Sequence, residues 1–445
     1  RAQDEQAQGL PIDKRVQATF AARLAERKKK HDGDDNAFVR LGLIADKQAR
    51  TVTIDAVATG MDETDPIEFL LVGANGKDYE SWAITPAQGS DVNAALRFIG
   101  MEPGRPADHH NFQFWPKGER VKVTISYERD GKAVTVRSED VILQQKSGKP
   151  MARANWVYTG SQYREIDGER LYMSDVQGDI ISDFNSPWTV LDVPRQAEQG
   201  AVYGSYVPAP QHLLPMRHPL TLVLEPELPA GQTRVRDYTV TIGGVGDKPA
   251  RTTDDLRFSV HAGKKALLEN VATAPFLELL GDHHKRNKDV FARIVFDDDA
   301  HIGPLAEFAT MLEQLIDRGF IRIEAVPKQL YYQAFLPRQK WRDPKQRISQ
   351  PVELHLHADG KHTLRYHDEE FLDGGNVKLT KLEEPFNSSL QLQRIIGSRK
   401  DWGSGGTLLF FVDAGVPYGL VRKFYLEHRD KFPITYVFQA KPPQK

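Results

Sequence analysis

Apolar residues recur with a helical period at the start of the chain. Between residues 12 and 30 the apolar residues Ile12, Val16, Phe20 and Leu24 recur at every fourth position, which predicts one narrow stripe along a helix. Residues 1–11 are polar and lack this pattern, so we expect residues 1–36 to comprise a disordered start and this amphipathic helix. The basic residues ERKKK at the end of the helix interact favourably with the negative end of the helix dipole, which is a sufficient explanation for them. The alternative is that they bind a membrane surface or a partner.

The two-residue period of β-strands dominates residues 37–228. Five segments alternate apolar and polar residues or run apolar with β-branched residues, namely RTVTIDAVAT, IEFLLVG, RVKVTISYER, KAVTVRSEDVIL and PLTLVLEP. Asp130 and Gly131 predict a tight hairpin turn between the third and fourth of these. One helix, DVNAALRFIGM, interrupts the strands. The pattern predicts a strand-rich α+β domain.

The rest of the chain shows one order of elements twice. Residues 229–328 and 350–445 each read strand, strand, helix, strand, helix, strand, which predicts two similar ββαβαβ domains that arose by internal duplication. The intervening residues 329–349 have the proline and charge content of a linker. A gap-free alignment of the two copies pairs Asp297 with Asp413, Gly303 with Gly419 and Phe308 with Phe424.

Composition narrows the classes of protein to consider. The 445 residues include no cysteine, which excludes disulfides, thiolate metal sites and cysteine nucleophiles. The 59 basic and 61 acidic residues nearly balance, so no basic field indicates nucleic-acid binding. No apolar run is long enough for a transmembrane segment. The missing cysteines and the polar beginning RAQDEQAQG favour an exported chain whose signal peptide is not visible.

Two stretches of the second copy carry a family resemblance. VELHLHADGKHTL reads as a strand pair, and LLFFVDAGVPYGLVRKF as an apolar strand, an acidic residue, a short loop and a Pro-Tyr-Gly that opens a helix. Both resemble the periplasmic domain of the ExbD/TolR family, the stator subunits of proton-driven envelope motors. The first copy departs from this pattern, with His301, Ile302 and Gly303 in place of Pro-Tyr-Gly. Both copies lack the family's transmembrane helix and its aspartate, so the resemblance does not imply a stator function.

A second resemblance covers residues from about 37 to 226. It is carried by IEFLLVGANGKDYESWAITPAQGSDVNAALRFIGMEPG, NWVYTGSQY and ISDFNSPWTVLDVP. These segments resemble the YdjY-type domain found in bacterial envelope proteins. The resemblance implies a periplasmic or exported protein of a Gram-negative-type envelope and leaves the ligand open.

The loop that follows the apolar strand in each copy is the candidate binding site. In the second copy it contains Asp413, Pro417, Tyr418 and Gly419; in the first, Asp297 and His301. Tyr418 lies between a rigid proline and a permissive glycine, so it could stack on a partner, or it could pack at the start of its helix. The carboxylates of FDDDAHIGP could hold calcium or magnesium, but aspartates also cap helices at such positions.

A weaker candidate metal site lies on the strand VELHLH. Glu353, His355 and His357 alternate with apolar residues and therefore share one face of the strand. Two histidines at this spacing could chelate zinc or copper, whereas a solvated polar strand face explains the same pattern without a metal. We expect no cofactor and no resident metal.

These observations favour binding over catalysis. We expect a non-catalytic cell-envelope binding or scaffold protein that recognises another envelope protein or a cell-wall polymer, for which an exposed sheet edge suffices. Two alternatives stay open. One is a metal-assisted hydrolase that uses the FDDDAH or HLHADGKH cluster, and the other is a subunit of a large extracellular or periplasmic assembly, including a homo-oligomer.

Overall fold

The computed structural model divides the chain into two compact units, Arg1–Val235 and Arg236–Lys445. It describes residues 12–108, 113–197, 202–246, 248–324, 352–371, 377–398, 407–432 and 434–439. The expected disordered start, residues 1–11, and the expected linker, residues 329–349, lie outside this range. None of the helices in the described ranges has both the length and the apolar character that crossing a membrane requires.

The first unit is built mainly from strands. Its helices are α1 (Lys14–Lys30), α2 (Gly89–Phe98) and α3 (Met173–Gln177). Its strands are β1 (Ala37–Arg40), β2 (Leu43–Asp46), β3 (Thr51–Ala58), β4 (Phe69–Val72), β5 (Ser81–Ile84), β6 (Arg120–Arg129), β7 (Lys132–Arg137), β8 (Ile142–Gln144), β9 (Lys149–Pro150), β10 (Trp156–Tyr158), β11 (Tyr163–Ile166), β12 (Glu169–Tyr172), β13 (Asp179–Ser182), β14 (Leu191–Asp192), β15 (Tyr206–Pro208) and β16 (Pro219–Pro226).

Eight of these strands close into a barrel. The order is β3-β16-β6-β10-β14-β13-β4-β5, and β5 pairs again with β3. Strands β1 and β2 extend the sheet beyond β3, and β7 pairs with β6. The predicted strand-rich mixed fold is confirmed, but closure was not foreseen. Closure depends on pairings such as Val57 with Ile84, which no local period of the sequence encodes.

Helix α1 lies against one side of the barrel. Its predicted stripe is confirmed, because Phe20 is buried in a cluster with Val57, Phe69 and Phe184, and Ile12 and Val16 pack against the same cluster. The hairpin predicted between the third and fourth strand segments is also present. Asp130 and Gly131 connect β6 to β7 with φ of 52° and 71°, the left-handed values that the turn requires.

The second unit contains two five-stranded sheets. The first consists of β17 (Val235–Gly243), β18 (Arg257–Ala262), β19 (Lys265–Val271), β20 (Asp289–Phe296) and β21 (Arg322–Glu324), with helices α4 (Thr273–Lys285) and α5 (Ile302–Asp317). The second consists of β22 (Val352–Leu356), β23 (His362–Phe371), β24 (Val377–Phe386), β25 (Thr407–Val412) and β26 (Ile434–Gln439), with α6 (Ser389–Ser398) and α7 (Tyr418–His428).

Both sheets have the same strand order. It is β19-β18-β17-β20-β21 in the first and β24-β23-β22-β25-β26 in the second. The predicted ββαβαβ order needs correction, because each sheet has a third strand before its first helix. In the first copy the spacing of apolar residues predicts a helix over residues 265–280, but residues 265–271 form β19 and the helix begins at Thr273. The spacing of Ala266, Leu267 and Leu268 is compatible with either element, and pairing with β18 decides for a strand.

Candidate functional site

The loops that follow β20 and β25, which contain the predicted binding residues, face each other within the second unit. Ile302 donates its backbone N–H to the carbonyl of Val416 at 2.9 Å, and Tyr418 donates its own to the carbonyl of Ala300 at 2.8 Å. The alignment pairs Ile302 with Tyr418 and Ala300 with Val416, so these two hydrogen bonds are related by a local two-fold arrangement. His301 and Pro417 lie opposite each other at its centre, as an isolated antiparallel bridge.

A second pair of hydrogen bonds repeats this symmetry. Gly303 donates to the carbonyl of Ala414 at 2.9 Å, and Gly419 donates to the carbonyl of Asp298 at 2.8 Å. A Cβ on Gly303 would lie 3.0 Å from the Cβ of Ala414, and one on Gly419 would lie 2.8 Å from the Cβ of Asp298. Glycine is therefore required at Gly419 by the close approach of the opposite loop.

The side chains break the symmetry. Tyr418 is 1% exposed, and its ring meets that of Phe296 edge to face, with 5.3 Å between centroids. Arg422 forms a two-pronged ion pair with Asp298 at 2.9 and 2.5 Å. Because this ion pair is partly exposed, it contributes about 0–1 kcal/mol, and the buried ring stabilises the contact more.

The burial of Tyr418 decides between the two interpretations of this residue. The ring is enclosed against Phe296, so of the two alternatives its burial favours packing at the start of α7. Pro417 is exposed, and Asp413 is partly exposed. A binding role for these two residues stays a prediction.

The two aligned aspartates have different surroundings. Asp413 accepts a hydrogen bond from the backbone N–H of Ala358 at 3.2 Å and lies 3.3 Å from Nδ1 of His357. The carboxylate of Asp297 instead lies against the backbone of Gly243. Desolvation and the adjacent charges of Asp298 and Asp299 raise the pKa of Asp297. One of the three carboxylates in FDDDAH, that of Asp297, therefore packs against the backbone of its own domain.

His301 lies beside this cluster and is half-buried. Desolvation, together with the charge of Arg251, lowers the pKa of its imidazole, so His301 is a neutral side chain at pH 7. Its backbone N–H donates to the carbonyl of Ala250 at 3.0 Å. The residue thus helps to hold its loop in place.

The predicted strand residues form two separate pairs. Nε2 of His355 lies 3.0 Å from Glu353, and this hydrogen bond lowers the pKa of the Glu353 carboxyl. The His355 ring stacks on Phe411 at 4.9 Å, while His357 turns to Asp413. Across the ranges that the structure describes, no group of three or more His, Asp or Glu side chains has an arrangement that could hold a metal ion.

A site that the sequence analysis missed lies in the first unit. It consists of five of the buried carboxyl groups of this unit, three on and around β13 and β14 and two on the segments that flank β4 and β5, namely Asp179, Asp183, Asp192, Glu68 and Glu80. Four of them come from IEFLLVGANGKDYES and ISDFNSPWTVLDVP, stretches that carried the second resemblance, and Asp179 lies two residues before the second of these. Acidic residues in otherwise apolar segments were the available signal, but their proximity depends on the pairing of β13 with β4.

Lys77 connects the outer members of this cluster. Its Nζ lies 3.3 Å from Glu80 and 3.6 Å from Glu68. Asp179 accepts a hydrogen bond from the Ser186 hydroxyl at 2.7 Å, yet burial raises its pKa to about 6. The hydrogen bond alone would lower the pKa of Asp179, so burial has the larger effect on this carboxyl group.

The inner members are enclosed more completely. Asp192 accepts a hydrogen bond from the Asn185 amide at 3.1 Å, and Arg195 lies near enough to lower the pKa of both Asp183 and Asp192. Desolvation outweighs these effects. It raises the pKa of Asp183 to about 8 and that of Asp192 well above its usual value. Burial therefore favours the neutral acid form of both inner side chains.

The first unit also contains an open cavity of about 710 Å³. Its walls include the charged side chains of Glu102, Arg105, Lys117 and Glu119, together with several glycines. Among the described residues that line this cavity none is aromatic.

Comparison with known proteins bears on the first unit. The family model described as the YdjY domain matches residues 43–196, a range that contains seven of the eight barrel strands and the whole carboxyl cluster. This confirms the resemblance of the N-terminal part. No curated protein matches the chain.

Proposed function

We propose that this chain is a non-catalytic binding or scaffold component of a bacterial cell envelope, periplasmic or exported, and that its partner is an extended segment of another envelope protein. In this proposal the YdjY-like barrel precedes two tandem ExbD/TolR-like domains that arose by duplication. The shared strand order of the two sheets and the two-fold hydrogen bonds between their loops support the duplication.

One observation carries the binding proposal, the outer edge of β24. This strand has ten residues and pairs with β23 in unbroken register from Phe386 to Val377. It is the terminal strand of its sheet in the described part of the chain. A regular edge of this length offers a row of backbone groups to which an extended segment can add as a further strand.

The corresponding edge of the first sheet is less suitable. β19 has seven residues, and its pairing with β18 shifts register on both sides of Val260. Such irregularities interrupt the row of backbone groups that an added strand would use. The second sheet is therefore the better binding surface of the two.

Site-specific photo-crosslinking in cells tests the proposal. A photoreactive amino acid would replace Leu379, which lies on β24 and is 51% exposed, or Leu390, which lies on α6 and is 58% exposed. We expect a discrete protein adduct from position 379 and none from position 390. Equal adducts at both positions would contradict strand addition. It would also be contradicted if neither position gave an adduct and the chain co-sedimented with purified cell walls.

A further inference from the structure

The inner carboxyl groups of the first unit have an unusual hydrogen-bonding state. Oδ2 of Asp183 and Oδ2 of Asp192 are both buried, and neither has a hydrogen-bond partner among the residues that the structure describes. Asp192 is 0% exposed and Asp183 is 2% exposed. An ionised carboxylate oxygen in such surroundings would lack both water and a donor, which is a severe desolvation penalty. A protonated carboxyl group carries no charge, so its desolvation penalty there is smaller.

Charge balance points in the same direction. The cations that act on the three aspartates are Lys77 and Arg195. Five buried carboxylates against two cations would leave three negative charges without a counterion in the interior. Three bound protons, one on each aspartate, would leave two carboxylates, Glu68 and Glu80, against the two cations.

We propose that Asp179, Asp183 and Asp192 form a proton-binding site inside the barrel, and that release of these protons destabilises the segment 179–195. Proton release converts each carboxylic acid to a carboxylate and gives the proton to solvent. The negative charges then repel one another across β13 and β14, two short strands that are paired directly, Ser182 opposite Asp192. This inference does not depend on the proposed envelope function.

The groups that face the three aspartates set the order of release. Asp179 faces Ser186, Lys77 and Glu68, and it releases its proton first, since its pKa is about 6. Asp183, with a pKa of about 8, faces Arg195 and Glu68. Asp192 faces Asn185, Arg195 and Asp183, whose charge further raises its pKa.

The sign of the pH effect follows from these shifts. Each aspartate has a folded-state pKa above the unfolded value of 3.8, so the folded state binds more protons than the unfolded state. The stability that protonation provides is complete below the unfolded pKa and is lost as pH rises through the folded one. For Asp183 this window runs from about pH 4 to about pH 8.

Infrared spectroscopy of the full chain tests the proton directly. At pH 7 exposed carboxyl groups are ionised, so the carbonyl stretch of protonated acids reports only groups like these. We expect this band in the wild type, a smaller band in Asp183→Asn and Asp192→Asn, and no change in Asp62→Asn, since Asp62 is exposed. Absence of the band from the wild type at pH 7 would overturn the proposal whether or not the variants fold.

Urea unfolding at several pH values tests the consequence. Asparagine mimics the neutral acid, so Asp183→Asn should unfold at a higher urea concentration than the wild type at pH 8. This advantage should shrink towards pH 5, while Asp62→Asn should follow the wild type throughout. An Asp183→Asn variant that is less stable than the wild type at pH 8 would mean that the carboxylate is needed in its ionised form, and the proposal would be wrong.

Discussion

Replacing Tyr418 with alanine tests whether the contact between the two loops of the second unit holds that unit together. The ring is 1% exposed and meets Phe296 edge to face. Truncation of a buried aromatic residue to alanine costs about 3–5 kcal/mol, from lost transfer free energy and the cavity left behind. Ile302→Ala, at the aligned position and also buried, should cost about 2–5 kcal/mol.

Calorimetry or circular dichroism would measure this loss as a lower melting temperature. For a unit of this size each kcal/mol corresponds to about 2–4 °C, so Tyr418→Ala should melt roughly 6–20 °C lower. Tyr418→Phe keeps the ring and should lose much less. A double-mutant cycle with Phe296→Ala should recover a coupling of about 0.5–1.5 kcal/mol for the edge-to-face pair.

Leu390→Ala is the matched control, because this residue lies in the same unit and is 58% exposed. It should change the melting temperature little. If Tyr418→Ala melts like the control, the ring does not stabilise the fold and a role in partner binding would regain support. If Tyr418→Ala is destabilised and Tyr418→Phe is not, packing is the function of this side chain.

Three further outcomes follow from the described contacts. Phe424 is buried against Phe386 and His362, so Phe424→Ala should lower the free energy of unfolding by about 3–5 kcal/mol. Phe308→Ala, at the aligned buried position, should have a similar effect. Unchanged urea midpoints would contradict this. Asp55 is buried and pairs with Arg23 and Arg27, whose side chains are 39% and 19% exposed, so Asp55→Asn should cost about 1–3 kcal/mol and increase hydrogen exchange along α1. Protection equal to the wild type would refute the anchoring of this helix. Elemental analysis of the purified chain should detect no stoichiometric zinc, manganese or copper, and finding one would favour the metal-assisted hydrolase.

Local sequence patterns were sufficient for the elements with a clear period. The fourfold spacing from Ile12 to Leu24 identified α1 and its buried stripe. Asp130 and Gly131 identified a hairpin because few residue pairs adopt left-handed backbone at both positions. The spacing of apolar residues predicted the wrong element at β19, because a short apolar run fits a helix and a strand equally well.

The site depended on contacts between distant residues. The alignment of Gly303 with Gly419 was visible in the sequence, but the reason for glycine, the approach of the opposite loop, was not. Tyr418 illustrates the same limit. A loop tyrosine between proline and glycine suits an exposed surface or a buried contact, and only the position of Phe296 decides between them.

The sequence alone determined the class of elements, the repeated order in the second unit, and the chemistry that a chain without cysteine cannot perform. Tertiary structure decided the closure of the barrel and the convergence of Glu68, Asp179 and Asp192 on one buried site. Local period reflects which face of an element is apolar, so it can be read along the chain. Burial of a charge depends on residues more than a hundred positions away, and no local pattern contains that information.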